Sequence, residues 1–167
     1  FLFMRIHKDG EDKRFRTIKP SATQFFMTWT LQGLWVSLCS MCALTAISSD
    51  TGVVINTLFY IGLGLFVIGF STEVIADNQK SKFRSLPENR DKFITTGLWA
   101  KSRHPNYFGE IVLWTGIAVM SFSSLDGWQY LTLISPIFTY ILLVYVSGVR
   151  MLEARSDIKW SEDKAYQ

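Results

Sequence analysis

The sequence predicts an all-α fold, a polytopic bundle with four transmembrane helices in 167 residues. Hydrophobic residues make up 49% of the chain, a share that is high for a soluble domain of this size. They are gathered into four charge-free runs, and three of these reach the length that a bilayer requires. The basic residues are confined to alternate segments between the runs. The runs are Pro20 to Ser49, Thr51 to Thr72, Ile111 to Leu125 and Gly127 to Val149.

The distribution of Lys and Arg predicts the orientation of the bundle. Six of the 17 basic residues precede the first run, seven lie between Glu73 and Asn106, and four follow Val149. The two turns on the opposite side contain only acids, Asp50 and Asp126. Because short cytoplasmic loops carry most of the basic residues, both ends of the chain and the central loop are expected in the cytoplasm. The net charge of +3 then reflects topology, and nucleic-acid binding is not predicted.

Local signals place three of the spans. Pro20 and Ser21 suit the start of a helix, so span one is expected to extend from there to about Ile47. Span two is expected from about Val53 to Ala76, with glycines that permit close helix packing. Span four contains Pro136, whose missing N–H predicts a kink. The glycines of span two are Gly62, Gly64 and Gly69.

The third span follows from an argument about length. The run from Ile111 to Leu125 has 15 residues, fewer than the roughly 17 to 25 that cross a bilayer. Its helix must therefore begin earlier and include Asn106, Tyr107 and Glu110, which places polar groups at or below the headgroups. A loop from Ser81 to Gly97 is expected before it, and this loop is long enough to be functional.

One group of candidate residues lies where the second helix leaves the membrane. If that helix continues, Glu73, Asp77, Lys80 and Arg84 follow one another at steps of four, three and four and share one face. A network of local ion pairs at a helix end is one interpretation. The other is a wall that presents a carboxylate to ribose hydroxyls and cations to phosphates. The residues alone leave both open.

A second group surrounds the start of the third helix. Pro105 is tolerated in a first turn, so Asn106 and Glu110 share one face, with Arg103 and His104 just before it. Unpaired N–H groups and the helix dipole add to these side-chain charges, which favours an anionic group. A carboxylate at the membrane edge is costly without a partner, so Glu110 is expected to pair with a cation or a polar ligand.

Other candidates carry weaker signals. Arg150 and Glu153 follow the fourth span, where interfacial anchoring is the ordinary role. Cys39 and Cys42 have CxxC spacing, but they lie inside an apolar run with no second cysteine pair, so neither metal binding nor redox chemistry is predicted. The sequence contains no Gly-rich phosphate loop and no dinucleotide-binding Gly-x-Gly-x-x-Gly.

Several stretches together resemble a known family. The run GLWAKSRHPNYFGEIVLWTGIAV, with ADNQKSKFR before it and VSGVRMLE after it, resembles the C-terminal domain of steroid 5-alpha-reductase-like membrane proteins. The upstream stretches DGEDKRF and WTLQGLWV resemble the entry to that domain in a largely bacterial and lower-eukaryote branch. The Arg-His-Pro-x-Tyr core is also similar to isoprenylcysteine carboxyl methyltransferases and phospholipid methyltransferases, which bind S-adenosylmethionine. The Ala-Asp-x-Gln-Lys stretch favours the reductases.

The resemblance implies a larger protein than residues 1–167. Its members are bundles of about seven transmembrane helices that hold NADPH in a cytoplasm-facing cavity and admit a lipophilic substrate from the membrane. We therefore expect residues 1–167 to be a single membrane domain, the C-terminal part of such a bundle. The N-terminal helices and the last C-terminal residues, including a terminal Tyr and a Thr-x-x-x-x-Pro segment, would lie outside it.

The resemblance also implies roles for individual residues. The ribose and phosphate end of the cofactor is expected at Asp77 and Arg84, the diphosphate at Arg103, His104 and Arg150, and the nicotinamide end at Asn106 and Glu110. Lys80 neighbours these positions, and Tyr107 is the candidate proton donor. No metal site is implied. The full set of expected site residues is Asp77, Lys80, Arg84, Arg103, His104, Asn106, Tyr107, Glu110 and Arg150.

The expected function is that of an NADPH-dependent oxidoreductase acting on CH–CH groups, similar to 3-oxo-5-alpha-steroid 4-dehydrogenases. It would reduce the carbon–carbon double bond of a lipid-like or steroid-like enone in lipid or steroid metabolism. The expected location is the endoplasmic reticulum in a eukaryote or the inner membrane in a bacterium. One alternative is an S-adenosylmethionine-dependent membrane methyltransferase of the isoprenylcysteine carboxyl type. The other is a non-catalytic lipid-binding or scaffold protein with the same fold.

Overall fold

A computed structural model describes residues 16, 18–89, 92–146 and 148–160. These residues form helices and connecting turns, with no β-strand among them. The predicted all-α fold is confirmed, while the basic segment before residue 16 and the end of the chain after residue 160 lie outside the described residues. The α-helices are α1 (Ala22–Ser48), α2 (Thr57–Ser85), α3 (Pro105–Ser121), α4 (Ile134–Ile141) and α5 (Val149–Trp160).

Within the described part of the chain, three helical segments are long and apolar enough to cross a membrane, namely Ala22–Ser48, Thr57–Ser85 and Gly127–Val146. They coincide with the first, second and fourth predicted spans. The third predicted span is α3, whose 17 residues rise about 26 Å and stand at the lower limit for a bilayer. Pro105 is in its first turn, and the helix includes Asn106 to Glu110. The expectation that this helix begins before Ile111 is confirmed.

Contacts divide the chain into two units, residues 1–38 and residues 39–167. In the first unit, α1 begins at Ala22. The Ser21 hydroxyl accepts a hydrogen bond from the backbone N–H of Gln24 at 3.4 Å, as expected for a residue that caps a helix. The start predicted from Pro20 and Ser21 is therefore confirmed.

In the second unit, α2 and α3 pack against each other in antiparallel directions through glycines. A Cβ atom added at Gly62 would come within 2.5 Å of the Met120 backbone nitrogen, and one added at Gly116 within 2.5 Å of the Phe66 nitrogen. Gly69 and Gly109 approach the facing backbone in the same way, about two helical turns further along the pair. Gly64 faces open space, so only two of the three predicted packing glycines take part.

The end of α1 packs against α4 through small polar side chains. The Ser135 hydroxyl donates a hydrogen bond to the Cys39 carbonyl oxygen, and the Cys39 Sγ lies 3.3 Å from the Thr139 Oγ1. The Cys39 and Cys42 side chains are both buried, which agrees with a packing role. Before α4 the chain forms a 3-10 helix, Gly127–Leu133, and after it a π-helical turn, Leu142–Val146. The change to α-helix lies two residues before Pro136, where a kink was predicted.

Candidate functional site

A cavity of about 380 Å³ opens where the loop between α2 and α3 meets α5. This volume falls in the range of small-molecule sites, roughly 300–1,000 Å³. Phe83, Phe93 and Trp99 form apolar parts of its wall. Its charged lining residues in the described part of the chain are Lys80, Arg84, Lys92, Arg103, His104 and Glu153.

The end of α2 brings Lys80 and Arg84 into the cavity. The helix continues to Ser85, which meets the condition under which the four charged residues from Glu73 to Arg84 share one helix. The prediction of a loop from Ser81 was therefore wrong at its first residues. Basic residues in a last turn interact favourably with the helix dipole. Leu86 is extended, with φ −87° and ψ 124°, because a residue before proline disfavours the helical conformation.

The loop between α2 and α3 is held against α2 by hydrogen bonds from its 3-10 turn, Gly97–Ala100. The Trp99 Nε1 donates a hydrogen bond to the Ala76 carbonyl oxygen at 3.0 Å, and the Leu98 N–H donates one to the Gln79 Oε1 at 3.0 Å. Gly97 has a φ of 64°, and a Cβ atom there would meet the Gln79 side chain at 2.5 Å. The left-handed conformation therefore favours glycine at this position, and a larger residue would also displace the Gln79 amide from the Leu98 N–H.

Trp99 also contacts a cation of the cavity. The Lys80 Nζ lies 4.9 Å from the centroid of the Trp99 ring, a distance at which ammonium groups are attracted to an aromatic face. Trp99 and Lys92 were missed as site residues in the sequence analysis. The Thr95-Thr96-Gly97 turn before Trp99 indicates that the chain reverses direction there. The hydrogen-bond partner of Trp99, Ala76, lies 23 residues earlier and is determined by tertiary packing.

Helix α5 contributes an acid to the opposite wall. The Glu153 Oε1 lies 3.2 Å from the His104 Nε2 and 3.8 Å from the Arg103 Nη1. His104 is the N-cap residue of α3. Its side chain makes no capping hydrogen bond and contacts Glu153 instead. Glu153 was expected to be an interfacial anchor, whereas the structure places it among the basic residues that line the cavity.

A second group of predicted residues lies beside the cavity. The Tyr107 ring stacks on the His104 ring, with centroids 5.6 Å apart and planes at 8°, and Gly148 lies near the Cε2 atom of the Tyr107 ring. The charges of Asp77 and Glu110 lie within electrostatic range of the Tyr107 hydroxyl. His104 therefore connects the cationic cavity with a more acidic region.

The predicted site residues are thus only partly brought together. Lys80, Arg84, Arg103 and His104 line the cavity, whereas the other five are not among its described lining residues. Asp77, Tyr107 and Glu110 form the neighbouring group, and Asn106 lies half-buried in the first turn of α3. The Arg150 guanidinium lies over the Tyr145 ring, 5.5 Å from its centroid. Among the described residues, no group of three His, Cys, Asp or Glu side chains is placed to hold a metal ion.

Comparisons with known proteins are consistent with the earlier resemblance. The profile of a family described as "Protein of unknown function (DUF1295)" matches residues 1–167. The chain is similar to "Probable O-methyltransferase ustE" of Ustilaginoidea virens, with 31% identity over 59% of the chain and 40% of that protein. It is also similar to "3-oxo-5-alpha-steroid 4-dehydrogenase 1" of Bos taurus, with 29% identity over 64% of the chain and 36% of that protein. The chain spans about two fifths of these curated relatives. No solved structure matches it significantly.

Proposed function

The chain belongs to the DUF1295 family, the steroid 5-alpha-reductase-like family, and on that premise we propose that it is the cofactor-binding part of an NADPH-dependent membrane reductase. The proposed substrate is a lipid-like or steroid-like enone whose carbon–carbon double bond is reduced. The similarity to a 3-oxo-5-alpha-steroid 4-dehydrogenase supports this activity. We further propose that residues 1–167 form the C-terminal part of a larger single membrane domain.

The observation that carries the proposal is the charge of the cavity. Lys80, Arg84, Lys92 and Arg103 line it together with His104. Guanidinium and ammonium groups bind phosphate through charge-assisted hydrogen bonds, and arginine does so with two parallel N–H groups. NADPH carries a diphosphate and a 2′-phosphate, so this set of donors fits the phosphate-bearing part of that cofactor.

Different residues are proposed to bind different parts of the cofactor. Lys80, Arg84 and Lys92 would hold a phosphate against the α2 side of the cavity, with Arg103 and His104 on the other side. In the neighbouring group, Asp77 would accept from ribose hydroxyls, as acidic residues do in other nucleotide sites. Asn106 and Glu110 are proposed for the carboxamide end, and Arg150 for the diphosphate. Bound NADPH would supply the hydride that the β-carbon of the enone accepts.

Tyr107 is the proposed proton donor for this reaction. Its ring stacks on the His104 ring with nearly parallel planes, which favours one orientation of the phenol. A donor held in place stabilises the negative charge that develops on an enone oxygen during reduction. The lipophilic substrate would enter from the bilayer, since the chain is an integral membrane protein with apolar spans.

The test is cofactor binding by the detergent-solubilised full-length protein, with Arg84→Ala as the variant. Because Arg84 is proposed to contact the 2′-phosphate, which NADH lacks, we expect NADPH affinity to fall by about 10- to 100-fold, and NADH affinity to fall less. Lys82→Ala is the matched control, since Lys82 is an exposed cation of the same helix turn outside the described cavity lining. Equal losses for both nucleotides, or equal losses in both variants, would contradict the contact with the 2′-phosphate. Turnover on a panel of sterol and fatty enones then tests the reaction.

Methyl transfer from S-adenosylmethionine is a second candidate, favoured by the similarity to an O-methyltransferase. That cofactor has no phosphate and carries a sulfonium cation, which the basic cavity would repel. The charge of the cavity therefore favours the reductase. Saturable binding of S-adenosylmethionine, without binding of NADPH, would reverse this choice.

A further inference from the structure

Glu153 is unusual because it is a carboxylate in a cavity whose other charged lining residues, within the described part of the chain, are basic. Its Oε1 is 3.2 Å from the His104 Nε2 and 3.8 Å from the Arg103 Nη1. Its side chain is 35% exposed, so the pair is reachable from the solvent side. The distance to Arg103 is long for a strong charge-assisted hydrogen bond.

The position of this carboxylate opposes the binding of an anion. A phosphate that enters the cavity is attracted by the basic side chains and repelled by Glu153. The phosphate and the carboxylate would also compete for the Arg103 guanidinium and the His104 ring, which both lie close to Glu153. Partly exposed ion pairs of this kind are weak, so a phosphate with several basic partners is able to displace the carboxylate.

We propose that Glu153 is an internal counter-anion that competes with the phosphate of the cofactor for Arg103 and His104. This inference rests on the proposed function and adds an affinity-determining residue to the site. Binding then exchanges one anion for another, and the carboxylate lowers the affinity that the basic cavity would otherwise have. Since affinity differences at one site lie mostly in dissociation rates, Glu153 accelerates the release of the cofactor.

A purely structural role makes the opposite prediction. If the contacts of Glu153 serve to hold α5 against the start of α3, removal of the carboxylate loses these contacts and destabilises the protein. It would then leave the anion site distorted and weaken binding. The two roles differ in the sign of the change in affinity.

The experiment uses the full-length protein in detergent, with NADPH and inorganic pyrophosphate as separate probes. Glu153→Gln and Glu153→Met both remove the charge and keep a side chain of similar length. We expect both variants to bind each probe about tenfold more tightly, with slower NADPH dissociation in stopped-flow measurements. Glu153→Asp keeps the charge and should show no such gain. Glu88→Gln is the control for net charge, because Glu88 is exposed and lies outside the described cavity lining.

Four results would contradict the counter-anion role of Glu153. Unchanged or weaker binding by the two neutral variants, with normal binding by the wild type, overturns the counter-anion role and leaves the proposed function intact. Loss of folded protein in both neutral variants also overturns it, because a carboxylate that the fold requires is not available for exchange. A gain in Glu88→Gln as large as in Glu153→Gln would reduce the effect to net charge and overturn the specific role. A wild-type protein that binds neither probe refutes the proposed function together with this inference.

Discussion

Trp99 has two contacts that prepare the cavity before any ligand enters. Its indole N–H is bonded to the Ala76 carbonyl oxygen, and its ring faces the Lys80 ammonium. The hydrogen bond holds the ring, and the ring restricts a side chain that otherwise has four flexible bonds. Because an ordered cation loses less entropy on binding a phosphate, Trp99 is expected to increase affinity without contacting the ligand's charge itself.

We predict that Trp99→Leu weakens NADPH binding by about three- to tenfold, because the cation–π contact contributes roughly 0.5–1 kcal/mol when exposed and more when desolvated. Trp99→Phe keeps an aromatic face but loses the indole N–H, so its loss should be smaller. Trp128→Leu is the matched control, since Trp128 is 86% exposed and lies outside the cavity. Calorimetric titration of the three variants, with thermal unfolding measured in parallel, gives the comparison. A Trp99→Leu variant with unchanged affinity would show that Lys80 needs no such support.

At the level of helices, the close approach of α2 and α3 positions both walls of the site. Gly62 and Gly69 face Gly116 and Gly109, so backbone meets backbone along the length of the pair. Membrane helices lack a hydrophobic driving force between them, and small residues allow the van der Waals contact that replaces it. The same contact sets the height of His104 at the start of α3 relative to Lys80 on α2.

We predict that Gly69→Leu disrupts this helix pair, because a side chain there would collide with the backbone of Leu113 and Gly109. Overpacking of a tight interface costs about 1–3 kcal/mol or more. Gly64→Leu introduces the same side chain in the same helix at a position that faces open space, so it should be tolerated. Fluorescence-detected size exclusion after heating measures the difference. Equal stability of the two variants would contradict a close α2–α3 contact.

Across the whole molecule, features that depend on local sequence could be predicted, whereas features that depend on contacts between distant residues could not. The start of α3 followed from the shortness of one apolar run, a local quantity. The spacing of Glu73 and Arg84 indicated which residues a longer α2 would place on one face, but a loop was expected from Ser81, so the full extent of α2 was not predicted. Glu153 and Trp99 could not be placed in the cavity, because their contacts with His104 and Ala76 join residues 49 and 23 positions apart. Hydropathy also cannot tell Gly64 from Gly69, since the choice depends on which face meets the neighbouring helix.

Within the second unit, the two ends of the bundle differ in chemistry. The cavity end gathers basic residues from α2, from the loop and from the start of α3. At the other end, polar groups serve as caps: the Ser124 hydroxyl accepts from the Val54 N–H at 2.8 Å, and the Asn56 side chain donates to Ser123 at 2.8 Å. A basic end and a capped end without basic residues are the arrangement that the positive-inside rule associates with a cytoplasm-facing cavity.

The orientation itself is testable by cysteine accessibility, and the structure indicates which positions to use. Asp126 accepts a hydrogen bond from the Gly127 N–H at 2.8 Å and forms a capping box with Gln129, so a cysteine there would disturb the turn it reports on. Asp50 is exposed in a turn at the same end of the bundle and is the better position. Glu88 is its counterpart at the cavity end. The native Cys39 and Cys42 are 1% and 0% exposed, so unmodified protein should give little background.

We predict that Asp50→Cys reacts with a membrane-impermeant maleimide applied from the side opposite the cytoplasm. Glu88→Cys should react with it only after the membrane is permeabilised. The reason is that the Lys and Arg residues near Glu88 resist transfer across the bilayer, whereas the turn at Asp50 carries no basic residue. The reverse pattern would place the cavity outside the cytoplasm, away from the cellular NADPH pool, and the proposed reductase activity would then lose its source of reductant. Topology and cofactor choice are therefore linked, and a cytoplasmic Asp50 would contradict both.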